Sequence, residues 1–569
     1  MLETNLLYYG DNLDILRRYI PDESVDLVYL DPPFNSDRAY NVIFKNEAGR
    51  NTDAQLVAFE DTWHWGPNAE KVYAYLTNTA RHEGRVADQV STLIAALRKG
   101  IGENQMMAYI VEMAARLVEL HRSLKPTGSL YLHCDPTASH YLKVILDAIF
   151  GPENFRSDIT WKRTNVHSDS KNWSAVADTL LYYVKDARKP FTWNPIRVEH
   201  GEEYLRSKYR YKDADGRVYR LDNMTSPNPR PNMTYEWKGH ASPPMGWRYE
   251  RATMERLDAE GRIWYPDSKA KRPQLKRYLD EMSGTLLTNV WTDIDPINSQ
   301  AHERLGYPTQ KPVALLERIL AASSNPGDVV LDPFCGCGTA LVAAEKLRRR
   351  WIGIDITYLA IAVMRARLKD SFAIEDVPVV GQPTEVEGAR QLAQSAEGRY
   401  QFQWWALGLV DAQPLGGVEK KGADRGIDGV ITFTDKHGEL TSVLVSVKSG
   451  HVNSSMVRDL KGTMDRDKAA IGVFITLDEP SKEMHLEADT AGIWHSDVWK
   501  RDYRRIQLIT IEELLVGKKP QLPPFVMPTY QQAPKVAAHA DQPGLFDVPE
   551  TLKKVAEPRP HDYVAENDR

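Results

Sequence analysis

Two acidic turns hold the side chains with chemistry to offer. Asp31-Pro32-Pro33-Phe34 follows directly on Val25 to Leu30, a run apolar enough for a buried parallel strand. The prolines fix the backbone and carry no N–H. The Asp31 carboxylate and the carbonyls beside it therefore present mainly acceptors. Such a rim suits a group with two N–H donors, such as the exocyclic amine of adenine or cytosine, and Phe34 offers a face for stacking. A base paired inside a duplex cannot reach a pocket of this kind and must be flipped out. The second turn, Asp332-Pro333-Phe334-Cys335-Gly336-Cys337-Gly338-Thr339, stands between a short apolar strand and a helix. Its glycines let the backbone approach a ligand closely, and the helix behind it presents its amino end. Asp355 ends the next strand, where an acid can accept both hydroxyls of a ribose. Cys335-x-Cys337 lacks the second cysteine pair that a structural zinc site needs.

The elements around these turns alternate strand and helix, which predicts an α/β sheet. Leu6 to Tyr9 reads as a strand closed by Gly10-Asp11-Asn12. From Asn104 to Leu124 the apolar side chains recur at helical spacing, until Pro126-Thr127-Gly128 breaks the helix before a strand over Ser129 to His133. The pattern returns after residue 300: a turn at Asn325-Pro326-Gly327-Asp328, a strand, the glycine-bearing turn, a helix over Ala340 to Leu347 and a strand over Trp351 to Ile354. At 569 residues the chain exceeds one hydrophobic core, and 42% hydrophobic with 26% charged residues excludes wholesale disorder. No apolar run has the length of a membrane helix, the first residues carry no secretion signal, and three cysteines suit a reducing cytoplasm. With a net charge of −6, contact with nucleic acid falls to a local basic surface. From Arg156 to Asp280 lysine and arginine outnumber the acids and interleave with Trp161, Trp173, Trp193, Trp237, Trp247 and Trp264, which suits duplex binding.

The segment Gly306-Tyr307-Pro308-Thr309-Gln310-Lys311-Pro312 through Asp332–Thr339 resembles amino-methylating DNA methyltransferases, and Asp31–Phe34 is similar to their catalytic motif. The catalytic motif precedes the cofactor motif with a basic insert between, an order similar to the β class. The resemblance implies a Rossmann-like sheet that binds S-adenosylmethionine and acts on double-stranded DNA. It assigns catalysis to Asp31, Pro32, Pro33 and Phe34. It assigns the cofactor to Asp11, Thr309, Gln310, Lys311, Asp332, Phe334, Cys335, Gly336, Gly338, Thr339 and Asp355. Asp at the first motif position favours adenine N6 over cytosine N4, which stays open. The expected layout is a catalytic half over 1–155, a target-recognition insert over 156–300, a cofactor-binding half over 301–375 and a linker over 376–397.

Residues 398–516 read as a separate domain. Asp428 leads into one strand, and period-2 alternation on the next puts Ser446 and Lys448 on one face, Val443, Val445 and Val447 on the other. This resembles the PD-(D/E)xK nuclease core, in particular Mrr-like restriction endonucleases. The resemblance implies that Asp428 holds a divalent metal such as Mg²⁺ and that Lys448 steadies the attacking water or the phosphate. Ser446 departs from the family's Glu or Gln, and Gln401 or Gln403 lies near the place of its helical Glu. Two outcomes stay open: a bifunctional restriction-modification enzyme, or a spent nuclease that still binds DNA. The proline-rich stretch 517–569 is expected to be disordered. Within it Gln542-Pro543-Gly544-Leu545-Phe546 resembles the peptide that docks on bacterial sliding clamps. The whole reads as a cytoplasmic, nucleoid-associated DNA methyltransferase, with a catalytically spent binding protein as its rival from another class.

Overall fold

The computed structural model describes residues 2–33, 39–45, 51–60, 64–165, 173–198, 201–282, 284–298, 300–307, 309–394, 396–415, 426–434, 440–524, 526 and 530–536. The chain divides into two compact units, Met1–Thr192 with Val290–Arg569, and Trp193–Asn289.

The larger unit is built on a sheet with the spatial order Val290–Trp291, Phe155–Lys162, Ala177–Val184, Leu124–Cys134, Val25–Leu30, Val329–Asp332, Arg350–Asp355, Leu6–Tyr9 and Val379–Val380. Ala177–Val184 is antiparallel to both neighbours, and the strands from Leu124–Cys134 onward pair in parallel. Val25–Leu30 and Val329–Asp332 are nearly continuous apolar runs because the sheet is covered on both faces there. Asp26 is the polar exception. Its carboxylate accepts from Lys125 Nζ at 2.9 and 2.8 Å and from the Val329 amide at 2.9 Å, pinning three neighbouring strands.

Parallel strands end on one edge of a sheet. Tyr9 stands opposite Asp355, and Asp332 opposite Gly353, so the loops after Tyr9, Leu30, Asp332 and Asp355 open side by side. The helix Gln105–Ser123 starts where the Asn104 carboxamide accepts the Met107 amide at 2.9 Å. Its apolar side, including Met113, Leu117 and Leu120, is buried in the core shared with Leu30, Leu130 and Leu132.

Three segments differ in extent from the sequence reading. Phe155–Lys162, Ala177–Val184 and Val290–Trp291 belong to the main sheet, so the separate unit is Trp193–Asn289 rather than 156–300. The stretch expected as a linker contains Val379–Val380, which pairs with Leu7 and Tyr8, and the helix Val386–Leu392. Such an edge strand needs only two residues, too few for periodicity to register. The described part of the proline-rich stretch makes ordered contacts: the Ser371 hydroxyl donates to the Pro534 carbonyl at 3.0 Å, and the Val536 amide to the Ser371 carbonyl at 3.0 Å. Residues 537–569, including Gln542–Phe546, lie outside the described residues.

The smaller unit carries an antiparallel sheet ordered Ile263–Trp264, Gln274–Tyr278, Val218–Asn223 and Tyr211–Lys212. Trp237 and Trp247 are buried with Met224, Met254 and Leu257, whereas Trp193 is exposed. The domain after residue 396 has a five-stranded sheet in the order Gln413–Pro414, Gly429–Thr434, Leu440–Lys448, Ile471–Thr476 and Ile506–Thr510, its last three strands parallel. Among the described residues no helix is long and apolar enough to cross a membrane.

Candidate active site

A cavity of about 380 Å³ opens on the edge where the four strands end. Asp11 comes from the first loop, Asp31, Pro32 and Pro33 from the second, Asp332 to Cys337 and Thr339 from the third, and Asp355 from the fourth. Tyr307, Thr309, Gln310 and Lys311 complete the wall. Of the expected cofactor residues only Gly338 is off the wall; it caps the helix Thr339–Lys346 instead. Phe34 lies outside the described residues, as does Pro308.

Asp31 is the acid with spare capacity. Its Oδ2 accepts from the Lys311 ammonium, while Oδ1 is buried without a hydrogen-bond partner. An orphaned carboxylate oxygen is costly unless a donor arrives, so this atom marks where a ligand N–H belongs.

The glycine turn wraps closely around its neighbours. Gly338 has φ +75°, and a Cβ there would lie 2.9 Å from Met364 Cγ. Gly336 has φ +51°, and its Cβ would press on the Tyr307 ring at 3.2 Å. Both positions thus demand glycine on conformation and on space. The Gly336 amide donates to Asp355 Oδ2 at 2.9 Å, and the Thr357 amide and hydroxyl to Oδ1, both at 2.9 Å. Burial pushes the Asp355 carboxyl up to about 6, against the lowering by these hydrogen bonds. Burial also carries Asp332 well above the carboxylate range, although its Oδ1 accepts the Phe334 amide at 3.0 Å. The Cys335 and Cys337 thiols are pushed up by burial and stay neutral, unlike metal-ligating or nucleophilic cysteines.

Asp11 does two structural tasks. It caps the helix Asn12–Tyr19 through the Leu13 amide at 2.8 Å and accepts from Arg116 Nη2 at 2.9 Å. Arg116 also reaches Asn12 Oδ1 at 2.6 Å and Glu112 at 2.7 Å, and Asn12 Nδ2 donates to the Pro333 carbonyl at 2.7 Å. This network fastens the first loop to the third. Arg116 and Glu112 were missed by the sequence reading. Their signal was an arginine on the buried side of an apolar helix with an acid four residues before it.

Two further side chains differ from expectation. Gln310 fastens its own segment, accepting the Leu305 amide at 2.8 Å and donating to the Glu303 carbonyl at 2.5 Å. Its carboxamide is engaged there, so the segment meets the cavity mainly through Thr309 and Lys311. Tyr29 lines the cavity unforeseen, its hydroxyl 3.1 Å from His133 Nδ1, with His133 Nε2 3.0 Å from Asp178.

In the C-terminal domain the expected residues do meet, around the Asp428 carboxylate. Asp428 Oδ2 accepts the Val447 amide at 2.6 Å and Lys448 Nζ at 3.1 Å, and Oδ1 accepts Gln403 Nε2 at 2.9 Å. Ser446 Oγ donates to the Gly426 carbonyl at 2.7 Å. Donors surround Asp428 where a divalent ion would need further acceptors. Among the described residues no group of three acids, histidines or cysteines stands close enough to hold a metal. Among the described residues Gln403 and Ser446 thus place a carboxamide and a hydroxyl beside Asp428 where the family's magnesium site has a second carboxylate.

Residues 25–363 match the family model of the N6/N4 methyltransferases, described as DNA methylase. The chain belongs to this DNA methylase family. Residues 416–516 of this family member match a second model, the NACHT-associated inactive Restriction Endonuclease 1, in keeping with the Mrr-like resemblance and the donor-filled centre. The type II methyltransferase M.EcaI of Enterobacter cloacae is 35% identical over 275 residues, 48% of this methylase chain and 59% of M.EcaI. The StyLTI Mod subunit, a type III restriction-modification enzyme of Salmonella typhimurium strain LT2, is 26% identical over 60% of the chain and 50% of its own length. The DNA adenine methyltransferase YhdJ of Escherichia coli strain K12 is 23% identical over 66% of the chain and 88% of YhdJ. The methylase chain thus spans about half to three-fifths of the first two relatives.

Proposed function

We propose that this chain transfers a methyl group from S-adenosylmethionine to an exocyclic amine in duplex DNA, adenine N6 before cytosine N4. The observation that carries the reading is the buried, unpartnered Oδ1 of Asp31 on the wall that also holds the glycine turn and Asp355. The residues fit the cofactor: Asp355 for the ribose hydroxyls, Asp332 for the amino group, Lys311 and Thr309 for the methionine carboxylate, and Asp11 beside the adenine. When bound, the cofactor supplies a sulfonium methyl that is already a strong electrophile.

The chain's own residues then have a positional and electrostatic task. Asp31 and the Pro32 carbonyl accept the two hydrogens of the flipped base's amine and draw its nitrogen toward tetrahedral geometry. The lone pair so freed would then point at the methyl group that the bound cofactor supplies, with the sulfur as leaving group. A carboxylate is far too weak a base to deprotonate an aromatic amine beforehand. It receives the proton once bond formation has made the nitrogen acidic. Phe34 stacks on the base, and the basic, aromatic unit Trp193–Asn289 contacts the duplex.

Adenine is favoured by the Asp that opens the motif, and YhdJ, by its name an adenine methyltransferase, supports the same choice. The test is nucleoside mass spectrometry on unmodified genomic DNA incubated with the protein and S-adenosylmethionine. N6-methyladenine is the expected product. N4-methylcytosine would keep the mechanism and change the base, and no methylated base at all would sink the reading.

A further inference from the structure

The helix Ala396–Leu409 belongs by sequence to the nuclease-like domain, yet one of its side chains is turned toward the methylase sheet. Gln401 Oε1 accepts the Tyr358 amide at 3.0 Å and the Tyr9 hydroxyl at 3.4 Å. Tyr358 is the first residue of the helix Tyr358–Phe372, and the amides of a first turn have no acceptor within their own helix. The cap residue Thr357 serves the Ala360 amide and Asp355, which leaves the Tyr358 amide to Gln401. Tyr358 is buried, so water is a poor replacement. Tyr9 ends the strand that leads into Asp11 and stands opposite Asp355 in the sheet. One carbonyl oxygen thus links the start of the helix that follows Asp355 to the side chain of Tyr9, two residues before Asp11.

The surrounding contacts hold the same helix. A Cβ on Gly408 would lie 2.8 Å from the Tyr358 ring, so the two helices meet there in close packing. At its other end, Asp370 and Ser371 are bonded by the Ala533 amide and the Pro534 carbonyl, at 3.1 and 3.0 Å.

Resting on the cofactor reading above, we infer that the nuclease-like domain is retained as a brace of the cofactor site, with Gln401 as its positioning residue for the Asp355–Tyr358 loop. The domain thus contributes a hydrogen-bond acceptor to the catalytic domain.

The test is calorimetric binding of S-adenosylhomocysteine to the full chain without DNA. Gln401→Leu removes the acceptor and should weaken binding about tenfold, the scale of one unmatched buried amide. Gln401→Glu keeps an acceptor and should bind within about twofold of wild type, on the same hydrogen-bond argument. Gln403→Leu alters the same helix on the side that faces Asp428 and should leave affinity unchanged. Hydrogen exchange across Ile356–Ala360 should quicken in Gln401→Leu alone. Wild-type affinity in Gln401→Leu overturns the inference, as does equal weakening by Gln401→Leu and Gln403→Leu. A wild-type chain that binds no S-adenosylhomocysteine overturns the cofactor reading itself, and this inference with it.

Discussion

The Lys311 ammonium is paired with the Asp31 carboxylate, and both side chains are largely buried at 11% and 15% exposure. The acid proposed to receive the amine is thus already paired with a cation from the segment proposed to close over the cofactor. Breaking a buried pair by removing one partner costs roughly 3–5 kcal/mol, because the other charge stays behind. Lys311→Met should therefore lower the denaturant midpoint and weaken S-adenosylhomocysteine binding. Asp31→Asn in the same chain should recover part of the lost stability, with a coupling of about 1–3 kcal/mol in a double-mutant cycle. Additive losses would mean the pair is incidental.

Asp31 itself divides chemistry from binding. Asp31→Ala should reduce methyl incorporation into DNA by about 10²-fold or more, the scale of a lost acid–base group. Affinity for S-adenosylhomocysteine should change far less. Tritium transfer from labelled cofactor, with calorimetry beside it, measures both. Surviving transfer would remove Asp31 from its role.

Cofactor affinity should fall in acid. Asp355 titrates at about 6, raised by burial, so it is ionised above that pH and protonated below it. Only the ionised carboxylate has both oxygens able to accept hydrogen bonds from the two ribose hydroxyls. The dissociation constant of S-adenosylhomocysteine should rise as pH drops through about 6, approaching tenfold per unit below it. Asp355→Asn should bind weakly with a flatter profile. A wild-type profile that is flat from pH 7 to 5 contradicts the assignment.

The C-terminal centre should not cut. Unmethylated plasmid incubated with the protein and Mg²⁺ should stay supercoiled, and Lys448→Ala should behave as wild type does. Magnesium-dependent nicking that Lys448→Ala abolishes would restore the nuclease reading and require an acid near Asp428 beyond the described residues.

The methylase turns were legible because each is local. A strand, an acid and two prolines, or a strand, an acid and spaced glycines, state their backbone geometry within a few neighbours. Parallel strand order then carries Asp31, Asp332 and Asp355 to one edge, a consequence of the α/β alternation. In the nuclease-like domain alternation put Ser446 and Lys448 on one face, and the family resemblance supplied the rest.

What tertiary structure decided were the partnerships across distance. That Lys311 meets Asp31, that Arg116 joins Asp11, Asn12 and Glu112, and that Gln401 caps Tyr358 rather than replacing a nuclease acid depends on which helix lies against which strand end. A residue type and its spacing state what a side chain can donate or accept. They leave open which of several competent partners packing brings within 3 Å, because hydrogen bonds and ion pairs are decided by position, and position by the burial of apolar faces far away in the chain.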